Sequence, residues 1–293
     1  MDYSIIREFS KYMKNIRIIA RLDIKGPNLV KGIHLEGLRV LGKPEEFAEL
    51  YYKQGADELI YQDVVTSLYG RNSLHDIISR TAKNIFIPLT VGGGLRTIDD
   101  IRAVLRAGAD KVSLNTAAIN NPEFIKEASL KFGSSTIVVA IEAIKQTNGE
   151  YLCYTDNGRE HTGMEALEWA KKVDELGAGE IVLTSVDREG TGDGFDLELT
   201  RMISESVSIP VIAHGGGGSA LDVYKVIDEG HADAVAIASI LHYGSNGQNI
   251  NSMQKRSEGN IEFLKSGRVF SKITPLLIPE LKNILKTKNL DIR

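Results

Sequence analysis

The chain holds a single cysteine, Cys153. No internal disulfide can form and a zinc site built on cysteines is excluded; so few thiols fit a reducing cytoplasm. Long apolar runs are also missing. No segment approaches the roughly 18 uninterrupted apolar residues of a membrane span, and the opening stretch MDYSIIREFSKYMKNIRIIARLD is broken by charges, so neither a signal peptide nor a membrane association is expected. The six histidines, His34, His75, His161, His214, His231 and His242, show no HxH or HExxH spacing, so no metal and no cofactor is expected. A strong charge of one sign is absent too. The net charge of −4 offers no broad basic field and argues against nucleic acid as a partner. A small phosphorylated ligand remains compatible, because a local anion site needs only oriented N–H groups and one or two cations.

What is present is ordinary globular composition, 42% hydrophobic and 25% charged over 293 residues, a length that suits two small domains or one α/β barrel. Eight short runs rich in Ile and Val recur: RIIARLD (17–23), ELIYQD (58–63), IFIPLTV (85–91), DKVSLN (110–115), TIVVAIE (136–142), EIVLTS (180–185), IPVIAH (209–214) and DAVAIAS (233–239). Segments with helical spacing lie between most of them, such as PEEFAELYYKQGA and TIDDIRAVLRAGA, each ending at a Gly just past the last periodic position. Eight buried strands alternating with helices predict an all-parallel sheet, and closed on itself that sheet is an α/β (β/α)8 TIM barrel, one domain over 1–293. The strand count, and the lack of an early GxGxxG after the first strand, weigh against an open doubly wound sheet.

The two halves repeat. IPLTVGGGLRTIDDIRAVLRAGADKVSLNTA (87–117) matches IPVIAHGGGGSALDVYKVIDEGHADAVAIASI (209–240), and DELIYQD (57–63) pairs with GEIVLTS (179–185). The repeat unit is therefore a half-barrel, and every strand delivers its carboxyl end to one rim, where barrels carry their chemistry.

On that rim strand one ends in Asp23 and strand five in Glu142. Strands one and five stand on opposite walls, so the two carboxylates face each other across the mouth, an arrangement suited to giving a proton on one side and taking one on the other. The plainer reading, in which each acid caps a helix or pairs with a nearby lysine such as Lys25 or Lys31, has about equal weight on spacing alone. The runs VGGGL (91–95) and HGGGG (214–218) leave strands three and seven, and SLNTAA (113–118) and IASIL (237–241) put hydroxyl or amide groups at the ends of strands four and eight. Each half thus offers a Gly loop beside a helix start, where backbone N–H groups can cradle a phosphate. Two equivalent cradles suggest a ligand with a phosphate at each end; the alternative is a set of tight turns without a ligand. The loop DREGTGDGFD (187–196) could add to the second cradle, and KGPNLVKGIHLEGLRVLGKP (25–44) has the length of a lid.

At the opposite rim Arg17, Glu58, Lys111 and Glu180 each lie at the start of a strand. Spacing alone reads them as four surface charges. Trp169, between apolar helical positions, and Tyr51, Tyr52 and Tyr61 read as packing or interface residues.

The blocks RIIARLDIK, VKG, VGGG, GADKVSLNTAA, GAGEIVLTSVDREGT and HYG, in this order over residues 15–243, with LIPELKNILKTKNLDIR at the end, resemble the HisF family, the cyclase subunit of imidazole glycerol phosphate synthase. The resemblance implies a (β/α)8 barrel that docks a HisH-type glutaminase on its bottom face and passes ammonia through the barrel to a bis-phosphorylated aminoimidazole carboxamide ribotide at the top. By position it implies Asp23 as the first catalytic carboxylate. It also implies Gly94, Asn115 and Thr116 as one phosphate site, and Gly190, Gly216, Ala238 and Ser239 as the other. Arg17, Glu58, Lys111 and Glu180 become the ammonia gate and Asp110 a glutaminase-interface position.

The departures gather on the substrate side. Glu142 stands where the family has its second catalytic aspartate, one methylene longer, and a displacement of about 1 Å costs roughly 100-fold where geometry limits rate. Arg21 replaces a small residue, KGPN (25–28) replaces a KDGR-like turn, and His214 replaces a serine. An amino-terminal extension (1–14) and an insertion after strand eight (about 245–270) are expected. The chain also resembles a HisF-like branch with ARLDIKGPNL and Glu at this position, linked to surface-sugar biosynthesis, in which ammonia serves amidino-group formation. A third possibility is a non-catalytic ammonia conduit that needs the gate but not Asp23 and Glu142.

Overall fold

The computed structural model describes residues 15–64, 74–245 and 272–293. The extension 1–14 and, apart from Ser245, the expected insertion after the last strand lie outside the described residues. The described chain begins with β1 (Arg17–Lys25), followed by a hairpin of β2 (Asn28–Ile33) and β3 (Glu36–Gly42). Next come α1 (Pro44–Lys53), β4 (Glu58–Asp63), α2 (His75–Ala82), β5 (Leu89–Gly92), α3 (Ile98–Ala107), β6 (Lys111–Leu114), α4 (Thr116–Asn120), α5 (Glu123–Phe132) and β7 (Ile137–Lys145). A second hairpin, β8 (Tyr151–Thr155) and β9 (Glu160–Glu165), leads into α6 (Ala166–Glu175). The rest is β10 (Glu180–Ser185), α7 (Leu197–Ser204), β11 (Val211–His214), α8 (Ala220–Asp228), β12 (Ala234–Ile237), α9 (Ser239–Ser245) and α10 (Ile278–Thr287).

Eight strands pair in parallel around a closed ring, β1-β4-β5-β6-β7-β10-β11-β12 and back to β1, so the fold is the (β/α)8 barrel expected. β1 and β7 are four places apart on this ring and stand on opposite walls. The hairpins are antiparallel additions to β1 and β7 at the carboxyl-end rim. Most of the segment 25–44, expected as a lid-length loop, forms the first of these hairpins. At the other rim the tail pairs with the chain just before β1, Ile16 against Ile292.

The half-barrel repeat is visible in atomic detail. Asp110 accepts the Leu89 N–H at 2.9 Å and Asp233 accepts that of Val211 at 2.9 Å. Thr97 caps α3 and Ser219 caps α8, each accepting from the N–H three residues on. Gly93 and Gly215 both have positive φ, and a Cβ there would lie 2.4 Å from Asp63 O and 2.5 Å from Ser185 O respectively. Only glycine fits where the loop crosses so close to the neighbouring strand.

Side chains alternate along each barrel strand. Ile18, Ala20, Leu22 and Ile24 of β1 join the main core beneath the helices, while Ile19 belongs to a separate cluster with Ile60, Val138, Val182, Ile212, Ala234 and Ala236. That second cluster lines the barrel axis. Trp169 of α6 and Tyr51 and Tyr61 are buried in the main core, as packing residues. Trp169→Ala should cost about 3–5 kcal/mol, read as a fall in urea midpoint without loss of the barrel's circular dichroism at low denaturant.

Candidate active site

The alternation places three layers of inward side chains on the axis. The lowest is a closed square of charges. Arg17 Nη1 donates to Glu58 Oε1 and to Glu180 Oε1, both at 2.7 Å, and Lys111 Nζ donates to Glu58 Oε2 at 3.1 Å and Glu180 Oε2 at 2.9 Å. Each cation meets both acids, so the four charges compensate one another where water is scarce. Burial works against the Arg17 charge, but Glu180 and Glu58 outweigh it and hold the guanidinium's proton more firmly than usual. Above the square lies the apolar girdle of Ile19, Ile60, Val138, Val182 and Ile212.

The upper layer carries the acids. Asp23 on β1 and Glu142 on β7 are both buried and both face inward, each an even number of residues from its strand's girdle residue. The side chain bonded to Asp23 is Arg21. Its Nε donates to Asp23 Oδ1 at 2.9 Å, and its Nη1 reaches His214 Nδ1 at 3.1 Å and Thr184 Oγ1 at 3.5 Å. A guanidinium only donates, so His214 Nδ1 accepts and the ring proton sits on Nε2. Burial, then Arg21 and Lys31, hold His214 well below its usual range, in the neutral form this bond requires. Burial disfavours the Arg21 charge, but Asp23, with Glu142 and Glu189, more than restores it. The lysines named beside Asp23 in the sequence do not hold it: Lys31 pairs with the buried Glu189.

Glu142 accepts one hydrogen bond among the described residues, from the Gly158 N–H to Oε2 at 2.9 Å. Burial pushes its pKa up to about 7, against the pull of Arg21 and Gly158, with Asp23 and Asp156 adding to the rise. Gly158 belongs to the β8–β9 turn, where Asp156, Asn157 and Gly158 all have positive φ, and the Asn157 amide donates to Val64 O beyond β4. This turn therefore lies over one side of the mouth, and nothing in the sequence pattern marked it as part of the site.

The two cradles differ. Gly94, Asn115 and Thr116 line a cavity of about 290 Å³ together with Gln62, Ser113, Ala140, Glu142 and Asn157, and Asn115 Oδ1 is buried there without a partner. Gly190, Gly216, Ala238 and Ser239 also meet in one place, but the space among them is about 20 Å³. The repeat shows one cause. Gly92 in the first half corresponds to His214 in the second, whose ring occupies the axis. The β2–β3 hairpin supplies another: His34 N donates to Glu189 O at 2.9 Å, Leu35 N to Glu189 Oε2 at 2.9 Å, and Lys31 binds the same carboxylate. A Cβ on Gly190 would lie 2.7 Å from Gly32 O, so glycine is required here by the hairpin's approach whether or not a ligand binds.

Asp110 is exposed, and its carboxylate caps β5 through Leu89 N. Among the described residues no group of three or more His, Cys, Asp or Glu side chains is placed to hold a metal, and no helix is long and apolar enough to cross a membrane.

The raised Glu142 fixes a sign for stability. Its carboxyl binds a proton more tightly folded than unfolded, so its contribution is fully present below about pH 4.5 and is lost as pH rises through about 7. Glu142→Gln should therefore match the parent near pH 4.5 and gain on it by up to about 3 kcal/mol by pH 8. Urea midpoints across that range read the difference, and a gap that does not change with pH would contradict it.

Comparison with known proteins points one way. The family model described as "Histidine biosynthesis protein" matches residues 17–246. The chain is 61% identical over 206 residues to a Legionella pneumophila protein named "Imidazole glycerol phosphate synthase subunit HisF", covering 70% of this chain and 97% of that one. It is 50% identical over 247 residues to a protein of the same name from Methanococcus vannielii, covering 78% of this chain and 91% of that one. With a family model matched over most of the chain and relatives this similar along nearly their whole length, the chain belongs to the HisF family.

Proposed function

We propose that this chain is the ammonia-using synthase and cyclase subunit of a glutamine amidotransferase, acting as imidazole glycerol phosphate synthase does on a bis-phosphorylated aminoimidazole carboxamide ribotide, with a HisH-type glutaminase as partner. The observation that carries the reading is one axis joining a four-charge square to an acid pair. Arg17, Glu58, Lys111 and Glu180 stand at the end where ammonia would enter, and Asp23 and Glu142 at the end where an acceptor would bind. The name of the relatives supports the same reaction.

In this reading neutral ammonia crosses the apolar girdle, where desolvation disfavours ammonium. Asp23 and Glu142 carry the proton transfers of ammonia addition, imine formation and bond cleavage. Gly94, Asn115 and Thr116 hold one phosphate, and the unpartnered Asn115 amide oxygen marks a polar group that requires water or ligand nearby. Gly190, Gly216, Ala238 and Ser239 hold the other once the β2–β3 hairpin lifts, since about 20 Å³ does not admit a phosphate. Asp110 borders the glutaminase in addition to capping β5.

A second reading keeps ammonia delivery and changes the acceptor, as in a HisF-like paralogue that supplies ammonia for amidino-group formation in surface-sugar biosynthesis. It is favoured by the location of Arg21 and His214: both departures meet at the axis on the substrate side, while the square below is complete. A pure conduit would need only that square.

Turnover of the bis-phosphorylated precursor with ammonium salt and no glutaminase separates these. Formation of imidazole glycerol phosphate supports the first reading; binding without turnover supports the second. Asp23→Asn should abolish synthase turnover and leave a conduit intact. Lys111→Ala opens the square, so glutamine-driven turnover with a HisH-type glutaminase should fall at least tenfold while ammonium-driven turnover stays within about twofold, because added ammonia reaches the mouth from solvent. Equal losses in both assays would refute the gate.

A further inference from the structure

The two acids of the mouth are held unequally. Arg21 and Asp23 are two residues apart on β1 and share its inward face, and the guanidinium binds Asp23 Oδ1 through Nε at 2.9 Å while its Nη1 reaches His214 on β11 and Thr184 on β10. The fork therefore ties three strands together across the axis. Asp23 is 3% exposed and does not line the 290 Å³ cavity, whereas Glu142 does. Glu142 spends one oxygen on the Gly158 N–H and has no cation bonded to it among the described residues.

We propose that Arg21 is a positioning residue that divides the acid–base work the two carboxylates share: it ties Asp23 into a fork and leaves to Glu142 the proton exchanges of ammonia addition and imine formation. This deepens the synthase reading above and rests on it. The chemistry balances as follows. The ammonia lone pair forms a C–N bond at an acceptor carbonyl carbon, and the carbonyl π pair moves to oxygen. One proton on nitrogen passes to the Glu142 carboxylate and is returned to that oxygen, giving the carbinolamine; a second then takes the same route from nitrogen to the hydroxyl, which leaves as water as the nitrogen lone pair forms the C=N bond. The charged groups around Glu142 are Arg21 and Asp23 from β1, Asp156 from the β8–β9 turn, and Asp63 at the end of β4 and Arg96 after β5, which line the same cavity. Burial first, with Asp23 and Asp156 adding to it against the pull of Arg21 and the Gly158 N–H, brings the Glu142 pKa up to about 7, where a group gives and takes protons with similar ease.

Charge pairing predicts shifts of opposite sign in two variants. In the full chain labelled with ¹³C at Glu and Asp carboxyls, the Glu142 resonance is assigned by its loss in Glu142→Gln. Arg21→Met removes the cation and should raise the Glu142 midpoint by about 1 pH unit or more; Asp23→Asn removes an anion and should lower it. A role for Arg21 in packing alone gives no such opposition. If Arg21→Met does not fold, Arg21→Lys keeps the charge and should leave the midpoint in place while Asp23→Asn still lowers it. Midpoints that stay put in both Arg21→Met and Asp23→Asn, or move the same way, overturn the proposal, as does a carboxyl titrating near 7 that survives Glu142→Gln and disappears in Asp23→Asn. In ammonium-driven turnover the pH limb of kcat should follow the Glu142 midpoint from the parent protein to Arg21→Met, and a limb that ignores it also overturns the assignment. If the parent protein shows no turnover of the imidazole precursor, the synthase reading fails, and the titrations still decide whether Arg21 and Asp23 set the state of Glu142.

Discussion

Closure of the eight-strand ring forces every inward side chain onto one narrow axis, and a charge on that axis has little water to solvate it. An isolated buried charge costs several kcal/mol, so the interior tolerates ions only as compensated sets. Among the described residues two such sets project onto the axis, separated by the apolar girdle. The lower is the square of Arg17, Glu58, Lys111 and Glu180. The upper is centred on Arg21, with Asp23, Glu142 and a neutral His214 around it. The girdle keeps the two sets apart.

The upper set also decides the shape of the mouth. Pseudo-symmetry would give two equal cradles, and the backbone obeys it: Gly93 and Gly215 cross the neighbouring strand at almost the same distance. Side chains break it. His214 stands where the other half has Gly92, and the β2–β3 hairpin settles on Glu189, so one cradle is open and the other nearly filled. Arg21 and His214 are mutually dependent in this, since the guanidinium needs an acceptor across the axis and the imidazole offers one only while neutral.

Much of this was legible in advance. Each of the eight barrel strands overlaps one apolar run, because strands buried on both faces read as continuous hydrophobic stretches, although β1, β5 and β7 continue past the ends of theirs. The runs at 85–91 and 209–214 began too early by a few residues for one reason: Pro88 and Pro210 have no N–H for the ladder, and β5 and β11 start just after them. The hairpins escaped notice. The β2–β3 turn places His34 and Leu35 at positive φ, a conformation whose usual signal is Asn-Gly, so the sequence there reads as a plain loop. Arg21 stood out as a large residue in a strand, but its partners come from β10 and β11, far along the chain.

The sequence by itself determined the barrel, its two-half repeat and which residues point inward, because these follow from strand patterning and short-range spacing, and its ordered motif blocks carried the resemblance to the family. Only the tertiary structure decided that the four charges below form a closed square, that Asp23 is bonded by Arg21 and not by a lysine, that Glu142 is left on the open cavity beneath the β8–β9 turn, and that one cradle is nearly filled. Those outcomes depend on which side chains meet across an axis about one side chain wide, and contact between residues more than a hundred positions apart is set by closure of the ring.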